Sequence, residues 1–492
     1  FRVKVNSYNQ MITVSKYDDV YLKIDCDAGT SQELSDYFTF TVPGAQFMPQ
    51  VKSRYWDGKI RLFNQLTRRI YFGLYPKIEE FANQRNYKLN IEEDSSFYQQ
   101  EFSLNEVDDL AASVSLSKEY VVRDYQKKAI AHAIRNKRCL LLSPTASGKS
   151  LIIYLLARFY PARKLIIVPT TALVHQMSSD FKDYGYQDDC YKITAGVEKN
   201  NDCEITITTW QSVYKMPEKW FSQFKVVIGD EAHLFKAKSL TSIMSKLTKC
   251  PWRFGFTGTL DGTQTHKLVL EGLFGPVEKV TSTVDLIKQK HLSKFKINII
   301  TLKYSDQSCK LLKRAKYQDE IDFIVRCEAR NRFIKNLCLS LNGNTLVLFN
   351  FVDKHGKVLY NILKDEADNR SVFFVHGGVK GEERDDIRQI VEGEQDSIIV
   401  ASYGTFSTGV NIRNLHNIIF ASPSKSRVRN LQSIGRGLRT ADGKSEARLF
   451  DLVDDLRVGQ WKNFALEHFS ERLKVYNEEE FPYKMYQVRL KE

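Results

Sequence analysis

Ser143-Pro144-Thr145-Ala146-Ser147-Gly148-Lys149-Ser150 follows the apolar run Cys139-Leu140-Leu141-Leu142 and opens into Leu151 to Leu156. The order is strand, tight loop, helix. Backbone N–H groups of such a loop and of the helix start after it converge on one point and favour phosphate oxygens. Lys149 adds a mobile positive charge for the β- and γ-phosphates, and Ser150 offers a hydroxyl to Mg2+. Ser143 stands where the first glycine of this pattern is usual. A chance Gly-Lys-Ser turn would need neither the strand before it nor the helix after it. The spacing therefore predicts a site for ATP and Mg2+, with Ser143, Thr145, Ala146, Ser147, Gly148, Lys149 and Ser150 around the phosphates.

Working outward, Asp230-Glu231-Ala232-His233 closes another apolar run, Val226 to Gly229. An acid at the C-terminal end of a parallel strand can face the phosphate loop, so Asp230 is expected to hold Mg2+ through water. Glu231 can orient or deprotonate the attacking water. Alone, the tetrapeptide is also an ordinary helix start with acids at the positive end of the dipole. Downstream of a phosphate loop, the catalytic reading is the better one.

These two segments belong to a series of short apolar runs alternating with helical stretches: 139–142, 165–168, 205–208, 226–228 and 253–256. A second series follows at 346–349, 372–375, 398–400, 418–420 and 449–452. Nearly continuous apolar strands fit parallel sheets covered by helices on both faces. Two series imply two α/β lobes, 97–280 and 281–458, joined near Thr281 to Lys296 where strand signals lapse. Residues 1–96 read as a small α+β module, with strands at Phe1–Val5 and Val20–Ile24. Helices are expected at Ser31–Phe40 and Ile78–Tyr87, and a hairpin between Ile60–Phe63 and Ile70–Phe72. Residues 459–492 read as a polar, aromatic, helix-prone tail.

The formal charge of +13 suits a polyanionic partner. No apolar run approaches the ~18 residues of a membrane span. The N-terminal stretch lacks a signal-peptide apolar block, which points to the cytoplasm. The eight cysteines form no Cys-x-x-Cys pair, so zinc-ribbon and redox readings fail. In the first module Lys52, Arg54, Lys59, Arg61, Arg68 and Arg69 interleave with Tyr55, Trp56, Phe63 and Tyr71. Cations of this kind meet phosphates while aromatics stack on bases or wedge a junction. The plainer reading is a solvated charged face, with Trp56 buried beneath an Asp57-Gly58 turn.

The order of further segments resembles that of the superfamily 2 helicases. Arg123-Asp124-Tyr125-Gln126 resembles the motif before the phosphate loop, in which Gln126 would read adenine. Val168-Pro169-Thr170-Thr171-Ala172-Leu173 and Thr208-Thr209-Trp210-Gln211-Ser212 resemble the nucleic-acid motifs of the first lobe. Thr257-Gly258-Thr259 resembles the motif that couples ATP state to strand movement. Tyr403 to Asn411 resembles the fifth motif, which implies a nucleic-acid contact at Thr405 and an ATP contact at Gly409. Asn411 replaces an acid often found there, so the resemblance implies no ribose or arginine contact at that position. Gln432-Ser433-Ile434-Gly435-Arg436-Gly437-Leu438-Arg439 resembles the sixth motif, with Gln432 in coupling and Arg436 and Arg439 as arginine fingers.

The resemblance spans Tyr120 to Asp455 and implies two RecA-like lobes. Arginine suits the finger role because its fork stays charged and pairs bidentately with phosphate oxygens. Such fingers contribute ~10³–10⁵ in turnover. A finger from the second lobe would complete the site only on closure, and closure would move two strand-gripping surfaces.

Over its whole length the chain further resembles the recombination and replication-fork helicases of T-even-like phages. Tyr55-Trp56-Asp57-Gly58-Lys59-Ile60-Arg61-Leu62, Phe72-Gly73-Leu74, Glu218 to Phe224 and Ala401 to Gly409 carry this. The resemblance implies ATP-driven unwinding, branch migration, fork regression and annealing on branched DNA: stalled forks, Holliday junctions and R-loops. The partners implied are branched and single-stranded DNA, RNA within R-loops, and a phage accessory or single-strand-binding protein, in the host cytoplasm. Arg54, Lys59 and Arg61 would contact DNA near the junction. An RNA helicase and a translocase subunit of a nuclease stay open as alternatives. Intact Lys149, Asp230, Glu231 and Arg436 argue against a binding protein with a dead ATPase.

Overall fold

The computed structural model describes residues 11–491 apart from 145–146, 235–236, 259, 261–263, 380, 409–411, 413, 425, 427–433, 436–443 and 445. The strand expected at the extreme N-terminus lies outside the described residues. The chain divides into two compact units: Phe1–Ser143 with Gly148–Val280, and Pro144–Ser147 with Thr281–Glu492.

The first unit begins with a five-stranded sheet in the order Phe63–Asn64, Arg69–Tyr71, Tyr21–Asp25, Met11–Lys16, Lys88–Ile91. Its alternation is legible: Ile12, Val14, Leu22 and Ile24 are fully buried while their neighbours face out. Helices Ala28–Tyr37 and Tyr75–Arg85 add Leu34, Ile78 and Phe81 to the same core. Asp27 caps the first of them, accepting the Thr30 N–H at 3.0 Å.

The hairpin expected between 60–63 and 70–72 is only partly formed. Phe63–Asn64 pairs with Arg69–Tyr71, but Lys59–Arg61 pairs with Thr39–Thr41. The chain changes sheets at Leu62, whose N–H donates to the Phe38 carbonyl at 2.9 Å.

This module shares a core with the first lobe. Phe72 and Leu74 pack in one cluster with Leu268 and Phe274. At Gly73 a side chain is excluded, since a Cβ there would stand 2.0 Å from the Glu271 carbonyl oxygen. The buried Arg138 guanidinium lies 3.7 Å from the Phe72 ring centroid and donates to the Asp19 carbonyl at 3.4 Å.

The first lobe is a seven-stranded sheet in which each strand runs parallel to its neighbours. Its order is Tyr191–Ile193, Ile205–Thr209, Lys164–Val168, Val226–Gly229, Trp252–Thr257, Arg138–Leu142, Val277–Lys279. Strands 164–168, 205–209 and 226–229 are buried throughout, as strands covered on both faces must be. The order brings the ends of Val226–Gly229, Trp252–Thr257 and Arg138–Leu142 side by side.

The second unit holds another parallel seven-stranded sheet: Val372–Val375, Ile398–Ser402, Thr345–Phe349, Asn417–Phe420, Glu446–Asp455, Lys294–Lys303, Tyr483–Arg489. Strand structure lapses over 281–293, where helix Thr283–Lys288 lies, and resumes at Lys294, before the expected end of the join: Lys294–Lys303 is a ten-residue strand in register with Glu446–Asp455. Nor does 459–492 behave as a tail. Helix Phe464–Glu478 and strand Tyr483–Arg489 belong to the unit, the strand pairing with Lys294–Lys303.

Charges that find partners inside the second unit hold this segment down. Arg472 donates to both Asp451 oxygens at 3.1 and 2.9 Å, and the Tyr476 hydroxyl adds a bond at 2.8 Å. The Glu320 carboxylate accepts the Phe464 and Ala465 N–H groups at 3.0 and 2.8 Å, satisfying the helix start.

Candidate active site

Ser143 leaves the end of strand Arg138–Leu142 with its N–H on the Thr257 carbonyl at 2.8 Å. The loop then tightens: the Ser147 N–H and hydroxyl both donate to the Pro144 carbonyl, at 3.2 and 2.7 Å. Gly148 follows at φ +77°, in the left-handed region, and caps helix Lys149–Phe159. A Cβ at Gly148 would stand 2.4 Å from Gln126 Nε2, so glycine is needed for conformation and for space.

Gln126 is buried against this loop. Its Nε2 donates to the Gly148 carbonyl at 3.4 Å and its Oε1 accepts the Arg123 N–H at 2.9 Å. Lys149 and Ser150 occupy the first helical turn, and the Ser150 hydroxyl lies 2.7 Å from that of Tyr184. Tyr184 has no local sequence signal, because it comes from the far end of helix Thr171–Asp183.

The acidic pair stands where strand Val226–Gly229 ends. The Lys149 ammonium donates to the Glu231 carboxylate and lies 3.9 Å from Asp230. Burial pushes the Asp230 carboxyl up to about 6, with the Glu231 charge adding to the shift and Lys149 opposing it. Burial also works against the charge of Glu231. Lys149, and after it His233, more than offset this and hold that carboxyl below its usual range. Glu231 sits at φ +48°, an uncommon conformation for a residue with a side chain. His233 Nδ1 is 2.6 Å from the Thr257 hydroxyl and 3.5 Å from Glu231 Oε2. The histidine thus bridges the acidic segment to the Thr257 strand, a role its place in the tetrapeptide does not reveal.

The residues expected to meet nucleic acid emerge from the next two strands of the same sheet. Val168 and Thr209 are paired across them. Pro169 is buried, and Thr170 caps helix Thr171–Asp183 by accepting the Leu173 N–H at 3.3 Å. Thr209 is buried, its hydroxyl 2.9 Å from that of Ser212, while Trp210 opens the short helix Trp210–Val213 and Gln211 is exposed. In the second unit Thr405 is buried with its hydroxyl accepting from Ser402 at 2.8 Å. Thr145, Ala146, Thr259, Gly409, Gln432, Arg436 and Arg439 lie outside the described residues.

In the N-terminal module Arg54 and Lys59 are exposed, and Arg61 is paired with Asp57 at 2.5 Å. The Asp57-Gly58 turn is present, with Gly58 at φ +77°. Trp56 is half-buried rather than buried, because its indole N–H reaches only the turn itself, at the Lys59 carbonyl 2.9 Å away. Phe63 is buried and Tyr71 stacks on Tyr21, so neither is available to bases.

A phosphate loop, an Asp-Glu-Ala-His segment and Thr257 on three neighbouring parallel strands, followed by a second parallel-sheet unit, define a superfamily 2 helicase. The ATP-dependent DNA helicase uvsW of Enterobacteria phage T4 is 36% identical to the chain, covering 97% of it and 100% of the relative. The chain belongs to the UvsW family of ATP-dependent DNA helicases.

Three family models match in succession: DNA helicase UvsW, N-terminal, over 11–92; Type III restriction enzyme, res subunit, over 119–262; and Helicase conserved C-terminal domain, over 328–441. The crystal structure of T4 UvsW aligns with a TM-score of 0.51 at 36% identity, covering 98% of this chain and all of that one. The DNA 3'-5' translocase XPB2 of Sulfurisphaera tokodaii is 25% identical over 68% of this chain and 81% of its own. The DNA-bound restriction-modification enzyme LlaBIII shares the fold alone, with a TM-score of 0.57 at 15% identity over 75% of this chain and 32% of that one.

Proposed function

We propose that this chain hydrolyses ATP to drive movement along DNA, and that it acts on branched DNA: stalled forks, Holliday junctions and R-loops, in the host cytoplasm. The observation that carries the proposal is the convergence of Lys149, Asp230, Glu231 and Thr257 at neighbouring strand ends. Two carboxylates face one ammonium there, and Glu231 Oε2 is buried and makes no hydrogen bond, with the His233 ring 3.5 Å away beside it. A carboxylate pair with a buried, unbonded oxygen supports a divalent cation, with Ser150 and Asp230 as the residues that would hold Mg2+. The ion would neutralise phosphate charge.

Lys149 would exchange its carboxylate partner for β- and γ-phosphate oxygens. That exchange leaves Glu231 free to orient the attacking water and accept its proton. Gln126 would read adenine beside the loop. Arg436 and Arg439 would supply positive charge to the transition state, and His233 with Thr257 would carry the state of Glu231 into the coupling motif. Branch preference is assigned to the N-terminal module, with Arg54, Lys59 and Arg61 on phosphates, because a motor gripping backbone alone sees every strand alike.

Lys149→Ala should abolish hydrolysis while most DNA binding survives. An equal loss of DNA affinity would count against the assignment. Replacing Arg54, Lys59 and Arg61 together by Ala, with thermal stability kept, should cost more ATPase stimulation on four-way DNA than on single strands. Equal losses would move branch selection out of the module.

A further inference from the structure

In one segment of the N-terminal module, only Arg54 has a part in the function proposed above. Residues 42–58 leave strand Thr39–Thr41 and return into Lys59–Arg61. The neck is closed by the Val42 N–H on the Gly58 carbonyl at 2.8 Å. Inside it, Ala45–Phe47 and Pro49–Lys52 form short helical turns, and the Tyr55 and Trp56 N–H groups both donate to the Gln50 carbonyl, at 3.0 and 3.1 Å. A Cβ on Gly58 would stand 2.8 Å from that of the buried Ala45, so the neck is closely packed.

This ordered loop leaves large apolar groups in water. Phe47 is 72% exposed and Tyr55 89% exposed, with Met48 beside Phe47 at 36%. Exposed aromatics on a loop that its own backbone bonds hold in shape are a binding feature rather than a packing one. Cations surround them: Lys52 and Arg54 on the loop, Lys59 and Arg61 at its neck, all exposed. The one acid in the stretch is Asp57, and it is already engaged by Arg61 at 2.5 Å and by the Lys59 N–H at 3.1 Å. A partner must therefore offer flat apolar faces together with a high density of negative charge. Nucleic acid does both, but the interior of a duplex hides its base faces. A branch point bares them, because the last base pair of each arm has no neighbour on one side.

We propose that Phe47 and Tyr55 form a stacking contact for the terminal base pair at a DNA branch, with Lys52 and Arg54 on the flanking phosphates. This deepens the branched-DNA reading and rests on it. Aromatic–base stacking reads no sequence, so the contact selects the shape of the branch and leaves its sequence free. The cations position the loop without adding sequence preference. Neither Phe47 nor Met48 belongs to the cation-rich stretch that drew attention in the sequence.

The test uses the full chain and a forked DNA carrying 2-aminopurine in the terminal base pair of the duplex arm, beside a single strand of equal length. Binding of the unaltered protein should change the 2-aminopurine fluorescence. Phe47→Ala with Tyr55→Ala should remove that change and lower fork affinity about tenfold. Single-strand affinity and the thermal midpoint should stay as they were, since both side chains are exposed. Phe47→Tyr with Tyr55→Phe should keep the signal. A retained fluorescence change and fork affinity in the alanine variant would overturn the proposal, and so would equal losses on fork and single strand. Failure of the underlying reading looks different: Arg54, Lys59 and Arg61 replaced together by Ala would then leave the preference for the fork untouched.

Discussion

Lys149 and Glu231 touch although they follow separate strands, and that contact sets the chemistry expected of each. A glutamate held ionised by an adjacent ammonium is a base that becomes usable when the ammonium turns to phosphate. Glu231→Gln keeps shape and hydrogen bonding but cannot accept a proton, so turnover should fall by roughly 10²–10⁴-fold with nucleotide still bound. Single-turnover measurements check this, and turnover within a few-fold of the parent would remove Glu231 from the role.

Asp230 gives a pH signature. Its folded value of about 6 lies above the ordinary 3.8, so its charge weighs against the fold as pH rises through that window. Protonation below about pH 6 competes with the cation it would hold, so ATP turnover at limiting Mg2+ should decline as pH falls through that value, and added Mg2+ should move the decline to lower pH. The decline should be absent from whatever residual activity Asp230→Asn retains. A flat pH–rate profile down to the ordinary carboxylate range would contradict the assignment.

At this scale the sequence spoke clearly where partners are neighbours in the chain. The run from Ser143 to Ser150 and the acids at 230–231 declare themselves by spacing. Tyr184 beside Ser150, His233 on Thr257, and the exposure of Phe47 do not. Each depends on where distant segments meet, or on what fails to cover a side chain.

Among the elements, most strands of the two parallel sheets that are legible in the sequence are buried on both faces, such as Lys164–Val168 and Thr345–Phe349, and Tyr21–Asp25 is legible from its alternation. Lys294–Lys303 escaped because lysine alternates with apolar residues along its first half, which reads as surface. Tyr483–Arg489 escaped because it is an edge strand with most side chains exposed. The pair Arg472–Asp451 shows how firmly the last helix is nevertheless held. Arg472→Ala leaves Asp451 buried and unpaired, which should cost about 3–5 kcal/mol. Urea unfolding of the second unit would measure this. Arg472→Met combined with Asp451→Leu should recover much of the loss, since no charge is then stranded. A single variant as stable as the parent would mean the helix is held by packing alone.

Across the whole molecule, two parallel-sheet units, with an N-terminal module on a shared core with the first of them, make up an ATP-dependent DNA helicase. Gly73 against the Glu271 carbonyl, and Arg138 over Phe72, join the module to the lobe that carries Lys149 and Glu231. What the module binds is therefore bound by the same compact unit that carries Lys149 and Glu231. The most direct measurement of this account is the ATPase rate of the full chain on single-stranded, duplex, forked and four-way DNA, with single-stranded RNA alongside. The account predicts the strongest stimulation by forked and four-way DNA, a smaller one by single strands and little by RNA. Stimulation by RNA equal to that by DNA, or rates on branched DNA no higher than on plain single strands, would contradict it.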